Sequence, residues 1–564
     1  SATASATATD SATTGDTETT GDTETAGDGT DSATTTGTSD TASATATATD
    51  SSTDTDTTTT GGLDEPIAAA APSWLRRVDG ISSLAPPRVA PLPDGDVAAL
   101  ITGGLYAHEI VLAEGDADEQ VLGAMYTAPA LARFDGATGA LLEGRMLAKL
   151  GQGTQYGMSV LPRELKLASD GDLLVVGTWT GTTEFFPGTA DSATHITQMK
   201  TVGDQFHRAE DPFVFRMTPD GAISWFVRGQ TPPPLSTTWF NYGKGIAPLP
   251  DGGLILAGDY ELSGFVAASN TAGAKTMSGG QKSYFARLGA DGEPTWIYRN
   301  NRQLPFYPLR SGVDGAIYGL LPRDATLFED AGAPWMTGSE PDLGTSVIGR
   351  LDPDGGVLWS ARFAKEPPVG PVRGLEPTAD GDLLVYGNGN GDLLFRDATD
   401  ATMTLPLGDG EGWIAGLSAD GEALWLRSLG PTIFALGPTL LGDDGVWLLA
   451  RIKAPYELEV AGETMALPDL GFEEPSTVSA LLRIDAEGDV VAVQLLGVDL
   501  AVDGLAWSGP EQDAFLTTGG YWCGSSQPFV IADGGDALEG LKYACDMEPN
   551  DDQRGYVAAI PRAN

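Results

Sequence analysis

The chain is poor in the residues that most often carry chemistry. Its 564 residues hold two cysteines, Cys523 and Cys545, and three histidines, His108, His195 and His207. His195 and His207 stand twelve residues apart with no cysteine near them, a spacing that does not suit zinc. No Gly-x-Ser-x-Gly elbow, P-loop or His-Glu-x-x-His run occurs, so no catalytic motif of those kinds can be read. Positive charge is scarce: 32 Lys and Arg stand against 78 Asp and Glu, for a net charge of −46. A body this negative repels phosphate backbones and anionic headgroups, which argues against a nucleic-acid partner. No run of 18 apolar residues occurs either, so no transmembrane helix is expected.

The first 62 residues lack almost everything a core needs. Of the first 60, 25 are Thr and 11 are acidic, with no Lys, Arg or aromatic residue. Such a segment cannot offset the entropy of ordering its backbone, so residues 1–62 are expected to be a disordered acidic stalk. Residues 63–564 carry the Trp, Phe, Tyr and Leu of the folded part. The chain begins at Ser1 without Met, which fits a removed leader. With a Thr/Ser stalk present, the even pair Cys523 and Cys545 suggests one disulfide formed in an oxidising compartment; two unrelated buried thiols are the alternative.

What the folded part has is a repeat. Four copies run Phe213–Trp225, Tyr284–Trp296, Val347–Trp359 and Trp413–Trp425. Each is an apolar strand, an Asp-Gly turn and a second strand, with Trp five residues after the Asp. A second series of turns alternates with these, at Asp94-Gly95, Asp170-Gly171, Asp251-Gly252, Asp314-Gly315, Asp380-Gly381 and Asp444-Gly445. Asp-Gly between two strand-like runs is a hairpin signal, because Gly supplies positive φ without steric cost. Each unit is therefore two hairpins, or four antiparallel strands, A to D. In the fifth unit A is 372–378, B 382–386, C 413–417 and D 423–427, with 387–411 read as a loop.

A seventh unit is split between the chain ends. Strands A and B fall near 501–508 and 514–518, and C at 555–561; D is then missing. Trp74-Leu75-Arg76 matches Trp425-Leu426-Arg427 and stands alone before the first A strand. Placing it beside the last C strand completes the unit and removes the open sheet edges. The expected fold is all-β, a seven-bladed β-propeller closed by an N-terminal strand in the last blade. The D-strand Trp is expected to wedge between blades. The Arg that follows it (Arg228, Arg299, Arg362) is expected along the outer surface.

These repeats resemble the bacterial SBBP-type β-propeller repeat, whose units combine an apolar strand with a basic residue, an Asp-Gly turn and Leu-Trp. The resemblance implies a secreted or surface protein and is nearly silent on activity. The Thr/Ser/Asp/Gly segment resembles the tether that follows the lipidated cysteine of bacterial lipoproteins; that cysteine is absent here. Ala132–Gly139 is similar to one quinoprotein propeller repeat. Ser418–Trp425 is similar to a sialidase Asp-box, except that Gly falls directly after the Asp.

The A–B and C–D turns are short, whereas the B–C segments at 104–127, 178–211, 259–282, 322–343, 389–410, 452–476 and 520–553 are long. Loops on a rigid scaffold are where binding usually resides, so the B–C/D–A face is the expected ligand face. Its candidates are Tyr156, Trp179, Trp239, Asn241, Tyr242, Lys244 and Tyr260, aromatics and amides suited to a sugar ring or an extended peptide; the bland alternative is that they pack their own loops. Asp546, Glu548, Asn550 and Asp552 place oxygens at alternate positions after Cys545 and form a calcium candidate without the full EF-hand pattern. No other cofactor is implied. The leading expectation is a non-enzymatic binding or scaffold module on the outer surface, with a glycan or protein ligand. A carbohydrate-active or quinone-dependent enzyme is the second reading, and a structural surface-assembly protein the third.

Overall fold

The computed structural model describes residues 67–69, 73–81, 87–104, 109–113, 115–123, 127–151, 159–197, 199–202, 205–229, 239–240, 242–260, 266–267, 275–276, 282–300, 308–321, 326–329, 335–336, 345–365, 372–442, 445–453, 457–467, 477–498, 502–507, 514–518 and 553–560. Residues 1–62 lie outside them, as do Cys523, Cys545, Asp546, Glu548, Asn550 and Asp552, so the stalk, disulfide and calcium expectations fall on residues not described. The described residues form strands, turns and bends, with no helix among them.

Antiparallel sets of four strands recur along the chain. Set 1 is Arg88–Pro91, Val97–Thr102, Pro129–Phe134 and Leu141–Met146. Set 2 is Ser159–Leu167, Leu173–Thr180, Gln205–Met217 and Ile223–Arg228. Set 3 is Tyr242–Pro248, Leu254–Tyr260, Lys282–Leu288 and Pro294–Asn300. Set 4 is Leu309–Ser311, Ile317–Leu321, Thr345–Leu351 and Val357–Lys365. Set 5 is Val372–Pro377, Leu383–Arg396, Thr402–Leu417 and Ala423–Ser428. Set 6 is Ile433–Gly442, Gly445–Ile452, Val478–Ile484 and Val490–Val498. Set 7 joins Val502–Trp507, Ala514–Thr518 and Gln553–Ile560 to Trp74–Ile81 from the other end of the chain. Its register pairs Trp74 with Ala559, Leu75 with Ala558 and Arg76 with Val557. The first strand of each set lies beside the first strand of the next, and that of set 7 beside that of set 1.

The Asp-Gly turns work through a bulge. In Leu92–Asp96, Gly95 N donates to Leu92 O at 3.0 Å and Leu92 N to Asp96 O at 2.7 Å. Pro93 and Asp94 are thus the corners of a type I turn, and Gly95, at φ 91°, is the left-handed residue that closes it.

Both faces of the second and third strands are buried, which explains their continuous apolar runs. Leu173 and Val175 pack with Leu100 and Leu131 of set 1, while Leu174 and Val176 pack with Ile246 and Leu256 of set 3. The same alternation gives a separate core between sets 3 and 4, 4 and 5, 5 and 6, and 7 and 1.

The fourth-strand Trp does more than fill space. Trp225 Nε1 donates to Ala290 O at 2.8 Å, Trp359 Nε1 to Ala419 O at 2.8 Å, Trp425 Nε1 to Ala486 O at 2.7 Å and Trp74 Nε1 to Gly136 O at 2.8 Å. Each acceptor lies in the second hairpin turn of the following set. Each ring covers a left-handed glycine of that turn, where a Cβ would come within 2.8 Å of the indole. Set 3 substitutes Tyr298, whose hydroxyl donates to Asp354 O at 3.3 Å.

The long second-to-third connections differ from the expected loops. Residues 387–411 of set 5 continue the two strands as one long hairpin, down to Arg396 opposite Thr402. Its Leu393–Arg396 edge pairs with Arg362–Lys365 of set 4. Likewise Thr326–Glu329 from set 4 pairs with the fourth strand of set 3, and Glu109–Leu112 from set 1 with Trp74–Ile81 of set 7. Thr182–Phe185 from set 2 pairs with Ala148–Leu150, which follows the fourth strand of set 1. These hairpins satisfy backbone groups that would otherwise be open edges. At the N-terminal side, Ile67–Ala69 adds in parallel to the fourth strand of set 6.

Candidate functional site

The candidate site is built where the first strand of set 3 begins. Tyr242 lies opposite Asp259, and Asp259 opposite Ser283. The register slips between Gly243 and Gly245, so Lys244 is the extra residue of a bulge. A bulge re-aims a side chain, and here the Lys244 ammonium reaches the Asp259 carboxylate and lies 5.9 Å from the centre of the Tyr242 ring. Asp259 is 2% exposed and also accepts a 2.7 Å bond from Ser283 Oγ. The Tyr284 hydroxyl donates to Tyr242 O at 3.2 Å. Burial, with the Asp259 charge adding, holds its pKa well above that of a free tyrosine, so it remains a donor. Gly258 makes room for this meeting: a Cβ there would stand 1.9 Å from Tyr242 O. The result is a fixed ammonium beside a half-buried aromatic ring.

Of the ligand candidates read from sequence, Tyr242 and Lys244 are brought together. Trp239 shares this region through its backbone, pairing in parallel with Ala209; its side chain, and that of Tyr260, are outside the description. Tyr156 and Asn241 lie outside the described residues. Trp179 corrects the expectation of an exposed ring. It is 1% exposed and packs edge-on against Phe185 at 5.7 Å and His195 at 6.2 Å. His195 in turn stacks on Phe226 at 5.3 Å. Burial, with Arg228 adding, lowers the His195 pKa to about 4, so the ring is neutral in this aromatic cluster at pH 7.

Two kinds of charged residue were missed in the sequence. The first is the third-strand Arg, which in sets 2, 3 and 4 bolts the unit to its own first turn and to the next unit, and in set 1 to its own first turn. Arg287 joins Asp251 at 2.7 Å and Asp354 at 2.8 Å; Arg350 joins Asp314 at 2.5 Å and Ala419 O at 2.5 Å. Arg133 joins Asp94 at 2.5 Å and Asp96 at 2.6 Å. Its signal was present: Arg recurs four residues before the turn Asp in three copies of the repeat, as Arg216, Arg287 and Arg350.

The second kind lies on the first strands. In a chain dominated by acid, these strands carry Arg88, Arg163, Lys166, Lys244, Arg310 and Arg373 against Glu164, Glu376 and Asp503. Arg163, Lys244 and Arg373 occupy the same bulge in sets 2, 3 and 5. Arg310 reaches Glu376 of set 5 at 2.9 Å and Glu164 of set 2 at 3.7 Å, while Glu164 also accepts Ile246 N of set 3 at 2.7 Å. Arg88 Nε donates to Arg163 O at 3.2 Å. Burial works against the Arg310 charge, but Glu376 and Glu164 overcome it and hold its pKa above the ordinary value. Among the described residues no cluster of His, Cys, Asp and Glu forms a metal site, and no helix is long and apolar enough to cross a membrane.

No family model matches the chain, and no curated protein does. Similar solved structures include a protein of unknown function from Bacteroides caccae, with 11% identity over 53% of this chain and 89% of that one at a TM-score of 0.24. The phage phi92 endosialidase is 11% identical over 86% of this chain and 69% of its own, at 0.30. A mutant puromycin hydrolase complexed with PGG is 13% identical over 79% of this chain and 61% of its own, at 0.27.

Proposed function

We propose that residues 63–564 form a closed seven-bladed β-propeller that serves as a non-enzymatic binding or scaffold module outside the cell, of the SBBP-repeat kind, carried on the stalk 1–62. The ring is supported by one observation above others. First strands adjoin in sequence from set 1 to set 7 and back to set 1, and Trp74 of set 7 makes the same indole-to-carbonyl bond to set 1 that Trp225, Trp359 and Trp425 make to theirs. Trp latches, Arg bolts and hairpin clasps stiffen neighbouring blades against one another. A stiff platform lowers the ordering cost of binding.

The binding face of this proposal is the one from which the first strand of set 3 enters. Tyr242 and Lys244 present a ring beside an ammonium, a pairing suited to a sugar or an acidic side chain of a protein ligand. A Trp239→Ala/Tyr242→Ala double variant, shown to be folded by circular dichroism, tests it on a glycan array and in pull-downs with purified ligands. Loss of capture is expected. Capture equal to that of the unaltered protein contradicts the binding face.

A further inference from the structure

We propose that the first strands of sets 2 and 4 build an anion site, with Lys166 and Arg310 as its cations and a small oxyanion, carboxylate or phosphate, as its ligand. The inference goes beyond the Tyr242–Lys244 face and does not depend on it. Its starting point is an imbalance. In a chain of net charge −46, cations are expected to find carboxylates, and Arg76, Arg133, Arg216, Arg287 and Arg350 do. The Lys166 side chain makes no hydrogen bond or ion pair with any described residue, although the residue is only partly exposed. The nearest carboxylates, Glu164 and Glu376, are already engaged by Arg310, and Glu164 by Ile246 N as well.

Cations withdrawn from water without a counter-charge are costly, and the usual remedy is a paired acid. Here the two carboxylates within reach are taken by Arg310, although acid is abundant elsewhere in the chain. Lys166 stands two residues from Glu164 on one strand and therefore on the same face, and Arg310 reaches Glu164 at 3.7 Å, so like charges are gathered rather than dispersed. Arg310 is the largest influence lowering the Lys166 pKa and burial the next, while Glu164 and Glu376 oppose them. An oxyanion held by these groups would offset the repulsion and raise the lysine pKa again. It would gain charge-assisted hydrogen bonds from a guanidinium and an ammonium. The ligand must be small. A polyanion would meet the acidic exterior along its length, whereas a single oxyanion meets only the groups that line the site.

The test uses the full chain. Inorganic phosphate and succinate are titrated separately by calorimetry into the unaltered protein, Lys166→Met and Lys166→Arg. Acetylation of Lys166 is followed in parallel by mass spectrometry, with and without each anion. Saturable binding of at least one anion is expected, and the tighter arm names the ligand class. Lys166→Met should weaken it by about tenfold, the order of one charge-assisted hydrogen bond, and Lys166→Arg should keep most of it. The bound anion should slow acetylation of Lys166. If Lys166→Met does not fold, protection of the unaltered lysine decides the matter. Absence of saturable binding by both anions, binding unchanged in folded Lys166→Met, or no protection would overturn the site.

Discussion

At the scale of single residues, the repeat is held by polar contacts made by residues that look merely bulky or merely charged. Trp359 buries its ring over Gly421 and still donates to Ala419 O at 2.8 Å. Replacing it by Phe keeps most of the apolar contact and removes one of the two donors to Ala419 O, which Arg350 still reaches. Trp359→Phe should therefore cost about 0.5–1.5 kcal/mol in urea denaturation, the net worth of one hydrogen bond. A cost near zero would mean the indole acts by volume alone. His195 gives a pH-dependent counterpart. Its folded pKa of about 4 lies below the ordinary value of 6.5, so the unfolded chain binds more protons between those limits. Stability should fall as pH drops from 6.5 towards 4 and lose nothing further from this group below that. The loss is of order 1 kcal/mol, since the half-buried ring is partly screened by solvent. His195→Phe should flatten this part of the profile, and an unchanged slope would assign the acid sensitivity elsewhere.

At the scale of elements, the four-strand unit was legible because each of its signals repeats: apolar run, Asp-Gly, apolar run, Trp. The alternation of inward faces explains why runs such as Leu173-Leu174-Val175-Val176 could be read as strands without being assigned to one face. The clasping hairpins were not read. Their strands are short, occur once each in different sequences, and turn through residues such as Asp397-Ala398-Thr399-Asp400 rather than Asp-Gly. A trace was present in the alternation of Leu393, Phe395, Met403, Leu405 and Leu407, which brings Phe395 onto Phe363 of the neighbouring set at 4.4 Å. Phe395 is fully buried although it belongs to a connection. Phe395→Ala should cost about 3–5 kcal/mol, as a core phenylalanine does. A cost below about 0.5 kcal/mol, the range of an ordinary surface change, would show that the hairpin does not clasp. The candidate site was half legible for a related reason. Tyr242 and Lys244 are near one another in sequence and could be named together, whereas Asp259 and Ser283 join them only through strand register. The cations of the first strands come one or two per repeat, and no local motif gathers them.

At the scale of the molecule, everything depends on both chain ends entering one sheet. The first clue was a spare Trp-Leu-Arg at 74–76 and a missing last strand, and the pairing of Trp74–Ile81 with Gln553–Ile560 answers it. Burial of Trp74, Val557 and Ala559 with Val97, Ile101 and Phe134 then packs set 7 against set 1. The most direct test is an engineered cross-link at the register pair Leu75 and Ala558. Directly opposed antiparallel residues have Cα atoms about 4.5–5.5 Å apart, within disulfide reach. In a Cys523→Ser/Cys545→Ser background, Leu75→Cys with Ala558→Cys should form an intramolecular disulfide under mild oxidation, seen by peptide mass spectrometry. Leu75→Cys with Ala486→Cys should not. Failure of the first pair to link in folded protein, or equal linking by both, would contradict the proposed closure of the ring.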